Sequence, residues 1–335
     1  MNVGIIGLGY WGPNLVRNFL ANKDVKSLWG CDLNVARLKS IEGKFPSVKL
    51  TPNTDEILLN KDIDIVVIAT PVQYHFDLAK KALENGKHIW VEKPFTSTSV
   101  QAEELIQLAE KKKLVIFVDH TFIYTGAVRK IKELIDKKVL GDVIYFDSVR
   151  VNLGLFQHDV NVIWDLACHD LSIMDYILNK KVVAISANGI ANYYEHENIA
   201  HLAIYFENNC FAHFHVSWTS PVKIRRVLIG GKNKMLVWDD MLPTEKVKIY
   251  DSGVELDSPE EIHKILVQYR TGDMFSPKLN ETEALAMGVK EFLASIQEHR
   301  RPLTGAYEGL KVVKILEAAE KSIKKRGELV EISGF

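Results

Sequence analysis

The sequence predicts two domains of different fold class: an N-terminal α/β domain built on a doubly wound parallel sheet, and a C-terminal α+β domain with a large, mostly antiparallel open sheet. Up to about Asp119, short apolar strands alternate with segments of helical spacing, a pattern typical of parallel sheets. After Tyr124, long runs of strand composition follow one another, and Asn208-Asn209 forms a hairpin turn signal. We predict domains at 1–122 and 123–335, with the last helices able to pack back on the first domain.

The elements follow in order along the chain. Six strands are predicted in the first domain, with helical spacing between them: Val3–Ile6, Lys26–Asp32, Val48–Leu50, Ile63–Ala69, His88–Val91 and Leu114–Val118. The second domain is predicted to open with the helix Ala127–Lys138, the strand Val143–Asn152 and the helix Trp164–Leu178. Further strands are predicted at Val182–Ile190, Ala200–Phe206, Phe211–Trp218, Ile224–Ile229 and Met235–Trp238, and the closing helices at Glu283–Glu298 and Tyr307–Lys325.

Composition excludes several classes of protein. The 335 residues are 47% hydrophobic and 25% charged with a net charge of −1, so no global field attracts nucleic acid or an anionic membrane. Apolar runs are strand-sized, and a strand beginning near residue 2 leaves no room for a signal peptide. The three cysteines lack CxxC spacing, and neither Cys168-His169 nor His213 with His215 offers convincing metal-ligand spacing. We therefore expect a cytoplasmic protein with no metal, nucleic-acid or membrane partner.

A glycine-rich turn joins the first strand to the first helix. It reads Gly7-Leu8-Gly9-Tyr10-Trp11-Gly12, and Asp32 ends the second strand twenty residues after Gly12. This is the dinucleotide-binding fingerprint of Rossmann domains, in which a helix N-terminus meets the pyrophosphate and the acid takes the ribose hydroxyls. Asp32 also repels a 2′-phosphate, which favours NAD over NADP. Arg37 is placed either to cap the adenine or to accept a phosphate.

Polar residues also follow two later strands, at the edge where a parallel sheet binds its ligands. Thr70-Pro71 and His75 follow the fourth strand, and Glu92-Lys93-Pro94 follows the fifth. Lys93 is therefore expected beside the reacting end of the dinucleotide, although a surface lysine after a strand remains an alternative. The full set of expected cofactor-binding residues is Gly7, Gly9, Tyr10, Trp11, Gly12, Asp32, Leu33, Arg37, Thr70, Pro71, His75, Glu92 and Lys93.

The glycine turn, the Glu-Lys-Pro strand end and the later open sheet, in this order, resemble the Gfo/Idh/MocA oxidoreductase family over essentially the whole chain. A third motif supports the resemblance. Asp165 and His169, in the string Trp164 to Asp170, match the Asp-x-x-x-His pair that the family carries early in its second domain. The resemblance implies an NAD-dependent dehydrogenase acting on the CH–OH group of a sugar, with Lys93, Asp165 and His169 as catalytic residues.

Elementary chemistry favours the same three residues. Oxidation of an alcohol needs a base that titrates near neutrality, and histidine suits that task. Asp165 and His169 lie four residues apart and would share one face of a helix, where the acid can orient the imidazole. Lys93 can hold the substrate oxygen and stabilise the developing alkoxide charge, or relay the proton. A buried structural role for His169 and a helix N-cap role for Asp165 remain alternatives.

The substrate is narrowed by a local resemblance. The strings 150–156 and 159–165 resemble family members that oxidise UDP-N-acetylglucosamine, or its glucuronate form, at C3 for surface polysaccharide or lipid A biosynthesis. Arg150 would suit a diphosphate or carboxylate, with an exposed strand cation as the alternative. Ser172 stands where polyol-oxidising relatives often carry an acid that binds hydroxyls. This difference weakens the hypothesis that the substrate is a free polyol. The expected substrate-binding residues are Lys93, Tyr124, Arg150, Asn152, Asp165 and His169.

The sequence leaves other functions open and also predicts an oligomer. The alternatives are a dehydrogenase of a free sugar, polyol or inositol, an NAD-dependent glycosidase of the same superfamily, and a catalytically inactive NAD-binding regulator. The length of the second-domain sheet and its apolar and aromatic residues predict a homodimer or homotetramer built on the open sheet face. The aromatic residues behind that prediction are Phe206, Phe211, Phe214 and Trp218.

Overall fold

The computed structural model describes residues 1–154, 156–193, 195–255 and 268–332. The chain divides into two compact units. The first unit joins Met1–Tyr124 to Thr282–Lys314, and the second joins Thr125–Glu281 to Ile315–Phe335. The boundary predicted after residue 122 lies close to the first of these breaks, and one of the two closing helices groups entirely with the first unit.

The first unit contains a six-stranded sheet in which every neighbouring pair is parallel. Its order, β3-β2-β1-β4-β5-β6, is that of a doubly wound dinucleotide-binding fold, so the predicted class of the first domain is confirmed. The strands are β1 Asn2–Ile6, β2 Ser27–Cys31, β3 Lys49–Thr51, β4 Ile65–Ile68, β5 His88–Glu92 and β6 Ile116–Asp119. β4 is buried along its whole length, as its run Ile-Val-Val-Ile predicts for a central parallel strand.

Helices connect these strands, and several begin at a capping side chain. Asn34 accepts a hydrogen bond from the backbone N–H of Ala36, and Thr98 accepts one from that of Gln101. The helices of this unit are α1 Gly12–Leu20, α2 Val35–Lys44, α3 Asp55–Leu58, α4 His75–Glu84, α5 Ser99–Lys112, α8 Ala284–Gln297 and the first part of α9 Ala306–Lys324. Short 3₁₀ turns at Val72–Tyr74 and Thr121–Tyr124 follow strands β4 and β6.

An aromatic cluster fills the core of the first unit. The rings of Trp90 and Phe117, on adjacent strands, stack with centroids 4.0 Å apart. Phe292 of α8 and Phe19 of α1 meet the Trp90 ring edge-on, at 5.8 and 5.6 Å. All four side chains are fully buried, and aromatic pairs of this geometry add to the stabilisation from apolar burial. The stacked pair lies two residues before the polar residues in which β5 and β6 end.

The second unit contains a nine-stranded sheet of order β14-β13-β12-β11-β7-β10-β9-β8-β15. Every pair is antiparallel except β7 with β10, so the predicted mostly antiparallel sheet is confirmed. The strands are β7 Val143–Leu153, β8 Val182–Ile190, β9 Ile199–Phe206, β10 Phe211–Ser217, β11 Thr219–Gly231, β12 Met235–Asp239, β13 Val247–Glu255, β14 Gln268–Phe275 and β15 Val330–Glu331. The last three are absent from the sequence prediction: β13 and β14 each contain a glycine and an aspartate, which have low strand propensity, and β15 is only two residues long.

The predicted helix Trp164–Leu178 consists of two parts. A π-helical turn, Ile163–Ala167, precedes the α-helix α7, Cys168–Leu178. The side-chain oxygen of Asn161 accepts hydrogen bonds from the backbone N–H groups of Ile163 and Trp164, which fixes the start of this turn. The unit also contains α6, Gly126–Asp136. π-turns within helices are rare and frequently occur at functional sites.

The two faces of the large sheet differ from the sequence expectation. Phe206, Phe214 and Trp218 are at most 5% exposed, so three of the four aromatic residues expected on the open face lie in the core. Strand alternation explains this: Phe211 is 37% exposed, and Phe214 falls on the opposite side of the same strand. The more exposed face instead carries Tyr205 beside Phe211, and His201 with its ring 4.3 Å from that of His215.

Within the described residues, no helix is both long enough and apolar enough to cross a bilayer.

Candidate active site

The glycine turn of the first unit accepts only glycine at two positions. Gly7 has φ of 97°, and a Cβ atom there would lie 2.4 Å from the carbonyl oxygen of Ala69. A Cβ atom at Gly12 would lie 2.9 Å from the carbonyl oxygen of Gly7. The missing side chain at Gly7 lets the chain after β1 approach the end of β4 closely. The missing side chain at Gly12 lets α1 start directly after the turn.

The middle of the turn is open. A Cβ atom at Gly9 would meet nothing nearer than 3.8 Å, where the guanidinium of Arg37 lies. α1 begins at Gly12 with Pro13 in its first turn, and within the described residues no side chain caps it. Such a helix start presents backbone N–H groups and a positive partial charge to an anion. These features fit the pyrophosphate of a dinucleotide.

Asp32 lies directly beside this turn and is 7% exposed. Its Oδ2 accepts a hydrogen bond of 2.8 Å from the backbone N–H of Leu8, and its Oδ1 accepts one of 2.8 Å from the backbone N–H of Asn34. The Arg37 guanidinium lies 3.3 Å from Oδ2. A carboxylate has about four acceptor positions, so Asp32 can shape the turn and still accept a ribose hydroxyl.

Three apolar side chains rim the same edge of the sheet. Tyr10 is 86% exposed, Trp11 48% and Leu33 83%. Tyr10 and Trp11 meet edge to face with centroids 5.5 Å apart. Exposed apolar groups beside a polar turn are suited to covering the flat faces of a bound adenosine or nicotinamide.

His75 connects the loops that follow β4 and β5. Its Nε2 lies 2.8 Å from the carbonyl oxygen of Thr70, and its Nδ1 lies 2.9 Å from that of Pro94. Burial lowers the pKa of His75 and Lys93 adds to this, while the carbonyl oxygens act in the opposite direction. The side chain thus connects the loop that carries Lys93 to the loop that follows β4.

Two carboxyl groups meet beside Lys93. Glu92 ends β5 and stands opposite Asp119 at the end of β6, and their side chains share a hydrogen bond. Burial raises the pKa of Glu92 well above its usual value, and the Asp119 charge and hydrogen bond raise it further. Burial also raises the pKa of Asp119 to about 6, although hydrogen bonds from Thr121 and Glu92 and the charge of Lys93 oppose the shift. The pair therefore holds a proton next to the Lys93 ammonium.

His120 follows β6 rather than lying within it. The sequence analysis assigns no role to this histidine. It is 1% exposed, and neither ring nitrogen has a hydrogen-bond partner in the described part of the chain. The signal that could have found it is positional, because His120 comes one residue after a buried strand that ends at the ligand edge.

In the second unit, Asp165 and His169 lie on the π-turn and on the first turn of α7. The Trp218 indole Nε1 donates a hydrogen bond of 3.0 Å to Asp165 Oδ2. The Ser172 hydroxyl donates one of 2.7 Å to the backbone carbonyl of His169. Asp165 and His169 are both partly exposed, and Asp165 is not a simple N-cap because α7 begins at Cys168.

Of the remaining predicted substrate residues, Arg150 and Tyr124 are buried and Asn152 is partly exposed. Arg150 is 4% exposed, and its Nε and Nη2 donate to the Asp170 carboxylate at 2.9 and 2.6 Å. It is thus not an exposed strand cation. Tyr124 is 7% exposed in the core of the first unit, and its hydroxyl lies 3.0 Å from that of Thr304. We therefore do not include Tyr124 among the proposed substrate-binding residues. Asn152 is partly exposed near the end of β7.

No group of three or more His, Cys, Asp or Glu side chains within residues 1–154, 156–193, 195–255 and 268–332 is arranged to hold a metal ion.

The parallel strand order, the glycine turn and Asp32 define the first unit as a dinucleotide-binding Rossmann domain. The NAD-binding Rossmann domain of the Gfo/Idh/MocA oxidoreductases matches residues 1–120, and the C-terminal domain of the same family matches residues 128–237. The chain belongs to the Gfo/Idh/MocA oxidoreductase family, with NAD as its cofactor. The predicted family and cofactor are confirmed.

Individual relatives differ in how much of the chain they match. UDP-N-acetylglucosamine 3-dehydrogenase of Acidithiobacillus ferrooxidans is 25% identical over 93% of this chain and 94% of its own length. Its crystal structure superimposes with a TM-score of 0.79 at 23% identity, covering 97% of this chain and 98% of that one. scyllo-Inositol 2-dehydrogenase of Bacillus subtilis is 27% identical over 70% of this chain and 72% of its own length.

Levoglucosan dehydrogenase in complex with NADH superimposes with a TM-score of 0.84 at 18% identity, with each chain covered completely. At that identity the likeness shows the fold alone. Matches of higher identity are shorter: an oxidoreductase of Schizosaccharomyces pombe is 38% identical over 36% of this chain and 34% of its own length. The aligned part of the chain spans half or less of the length of the first curated relatives that it matches.

Proposed function

We propose that this protein is an NAD-dependent dehydrogenase of a nucleotide sugar, and that it oxidises a ring hydroxyl, at C3 of a UDP-N-acetylhexosamine. The product would be a 3-keto sugar that feeds the biosynthesis of amino sugars for surface polysaccharide or lipid A. We further propose that the protein acts in the cytoplasm as a homodimer or homotetramer.

The position of Lys93 carries the proposal. The glycine turn follows β1 and Asp32 follows β2, so the adenosine half of a dinucleotide belongs on that side of β1. β4 and β5 lie on the other side, and Lys93 directly follows β5. An ammonium group at this edge is suited to stabilising the charge that develops on a substrate oxygen during oxidation.

Bound NAD supplies the hydride acceptor. In the proposed mechanism His169 takes the proton from the substrate hydroxyl through its imidazole ring, Asp165 orients that ring, and Lys93 stabilises the alkoxide charge. The hydrogen bond from Trp218 to Asp165 supports an orienting role, because it helps to hold the carboxylate in place. The glycine turn and the exposed rings of Tyr10 and Trp11 would hold the cofactor in place.

The choice of substrate rests on similarity along the whole chain. The UDP-N-acetylglucosamine 3-dehydrogenase of A. ferrooxidans aligns with 93% of the residues, including both domains. The relative that oxidises scyllo-inositol aligns with 70%. It supports a second candidate function, the oxidation of a free sugar, polyol or inositol, and Ser172 in place of a hydroxyl-binding acid disfavours that candidate.

The test is a substrate screen. UDP-N-acetylglucosamine, its glucuronate form, other UDP-sugars, free sugars and inositols are incubated with NAD, and NADH is followed by absorbance while the product is identified by mass. We expect NADH formation with a UDP-N-acetylhexosamine and a product lighter by two hydrogen atoms. NADH formation with inositol or a free sugar alone would transfer the function to the second candidate.

The same assay separates two further alternatives. An NAD-dependent glycosidase oxidises C3 only transiently, so it would cleave a glycoside without net NADH or a released keto sugar. An inactive regulator would bind NAD and turn over none of these substrates. Either result would contradict the proposed dehydrogenase function.

A further inference from the structure

His120 occupies the carboxyl edge of the first-unit sheet and has no part in the mechanism described above. Its backbone is fixed on both sides: its N–H donates to the carbonyl of Val118 at 2.8 Å, and its carbonyl accepts from the N–H of Ile123 at 3.0 Å. The ring is 1% exposed. Within the described residues, Nδ1 and Nε2 both lack a hydrogen-bond partner.

The ring is neutral at physiological pH. Burial lowers the pKa of His120 to about 3, and the nearby Lys93 charge acts in the same direction. A neutral imidazole offers one N–H donor and one nitrogen lone pair. Buried polar groups are nearly always paired, and a histidine with both nitrogens unpaired costs stability unless a ligand satisfies them.

The location indicates which ligand. His120 lies at the end of β6, Lys93 at the end of β5 and Thr70 shortly after β4, in the order of the sheet. The hydroxyl of Thr70 is a second buried group without a partner among the described residues. In doubly wound folds the ligand crosses the carboxyl ends of the strands, and with adenosine near β2 the nicotinamide end reaches β4 to β6. The unpaired groups thus lie where a neutral, polar ring substituent is expected.

We propose that His120 positions the cofactor by hydrogen-bonding to the carboxamide of the nicotinamide ring. The carboxamide offers one carbonyl acceptor and one NH₂ donor, so it can pair with either ring nitrogen of a neutral imidazole. The ring is covered in this conformation, so the contact requires the side chains above it to shift. The inference rests on the proposed dehydrogenase function, because it assumes a reacting nicotinamide at this edge.

The test compares two ligands that share the adenosine and pyrophosphate. NAD and ADP-ribose, which lacks the nicotinamide, are titrated calorimetrically against wild type, His120→Leu and His120→Gln. We expect His120→Leu to weaken NAD binding by roughly five- to fifty-fold while ADP-ribose affinity stays within about twofold. His120→Gln, which keeps a donor and an acceptor, should recover part of the loss. The thermal midpoint of ligand-free His120→Leu should equal or exceed that of wild type, because an apolar side chain replaces an unpaired polar one.

His88→Leu is the matched control. His88 lies at the opposite end of β5, and its Nδ1 accepts a hydrogen bond of 3.0 Å from the N–H of Val115. This variant should lower the midpoint and leave the ratio of the NAD and ADP-ribose affinities unchanged. Equal losses for both ligands in His120→Leu, or a lower midpoint with an unchanged ratio, would show a structural role and overturn the proposal. Unchanged NAD affinity in His120→Leu would also overturn it. No sugar enters the titrations, so failure of the proposed substrate leaves this test intact.

Discussion

Arg150 and Asp170 form a bidentate ion pair that is buried in the second unit, with N–O distances of 2.9 and 2.6 Å. The side chains are 5% and 2% exposed. The pair joins β7 to the first turn of α7, one residue beyond His169. Because Asp170 follows His169 directly in sequence, the ion pair helps to fix the backbone from which the imidazole projects. Arg150 thus anchors the first turn of α7 to β7.

Removal of one partner should be costly. Asp170→Ala leaves the Arg150 guanidinium buried without its carboxylate, and we expect the free energy of unfolding to fall by about 3–5 kcal/mol. Urea denaturation measures the loss. Asp142→Ala removes one partner of the exposed Lys232–Asp142 pair and should change the stability little. Similar stability of the two variants would contradict the structural role assigned to Asp170.

The sequence predicted the parts of the site that depend on local motifs. The glycine turn, Asp32 and Lys93 could be placed at strand ends, because a short apolar run followed by a turn and a helix can be recognised from neighbouring residues. Arg150 could not be assigned in this way, since its partner Asp170 lies twenty positions away and the contact depends on which face of β7 packs on α7. The prediction of aromatic residues on the open face was wrong for the same reason, because tertiary packing decides which side of a strand becomes buried.

The preference for NAD over NADP should depend on Asp32, and Arg37 should favour NADP once Asp32 is removed. Asp32→Ser removes the carboxylate that lies 3.3 Å from the Arg37 guanidinium and that would repel a 2′-phosphate. We expect the ratio of NADP to NAD affinity to rise by roughly tenfold or more. Adding Arg37→Met to Asp32→Ser should reverse much of this gain. Dissociation constants from titration check both variants. Wild-type protein that bound NADP as well as NAD would show that Asp32 does not discriminate.

The Glu92–Asp119 pair should make stability depend on pH. Both carboxyl pKa values are raised in the folded protein, so the folded state holds a proton that the unfolded chain releases above about pH 4. Stability from this pair is therefore fully present below that pH and is lost as the pH rises through the folded value for Asp119 of about 6. We expect urea denaturation to show wild type losing stability from pH 4 to pH 7 relative to Glu92→Gln. Parallel pH profiles would contradict the shared proton.

The proposed oligomer should depend on the exposed face of the large sheet. Tyr205 and Phe211 are 40% and 37% exposed, with ring centroids 5.4 Å apart. Light scattering should give a multiple of 38.0 kDa for wild type. Phe211→Lys should shift the mass toward that of the monomer because it places a charge in an apolar contact. Lys223→Glu, on an exposed part of β11, is the control. A monomeric wild type in dilute solution would contradict the prediction.

Turnover should depend on Lys93 and His169 without a matching loss of NAD binding. Base catalysis contributes about a hundred- to ten-thousand-fold, so His169→Ala should lower kcat by roughly that factor. Lys93→Met should lower it at least as much, because it removes charge stabilisation of the alkoxide. Lys111→Met and His158→Ala replace exposed residues of the two units and should retain wild-type kcat. Turnover is measured across the pH range together with NAD affinity. If His169→Ala keeps near-normal turnover, or fails only because NAD no longer binds, the base assignment is wrong and Lys93 becomes the remaining candidate.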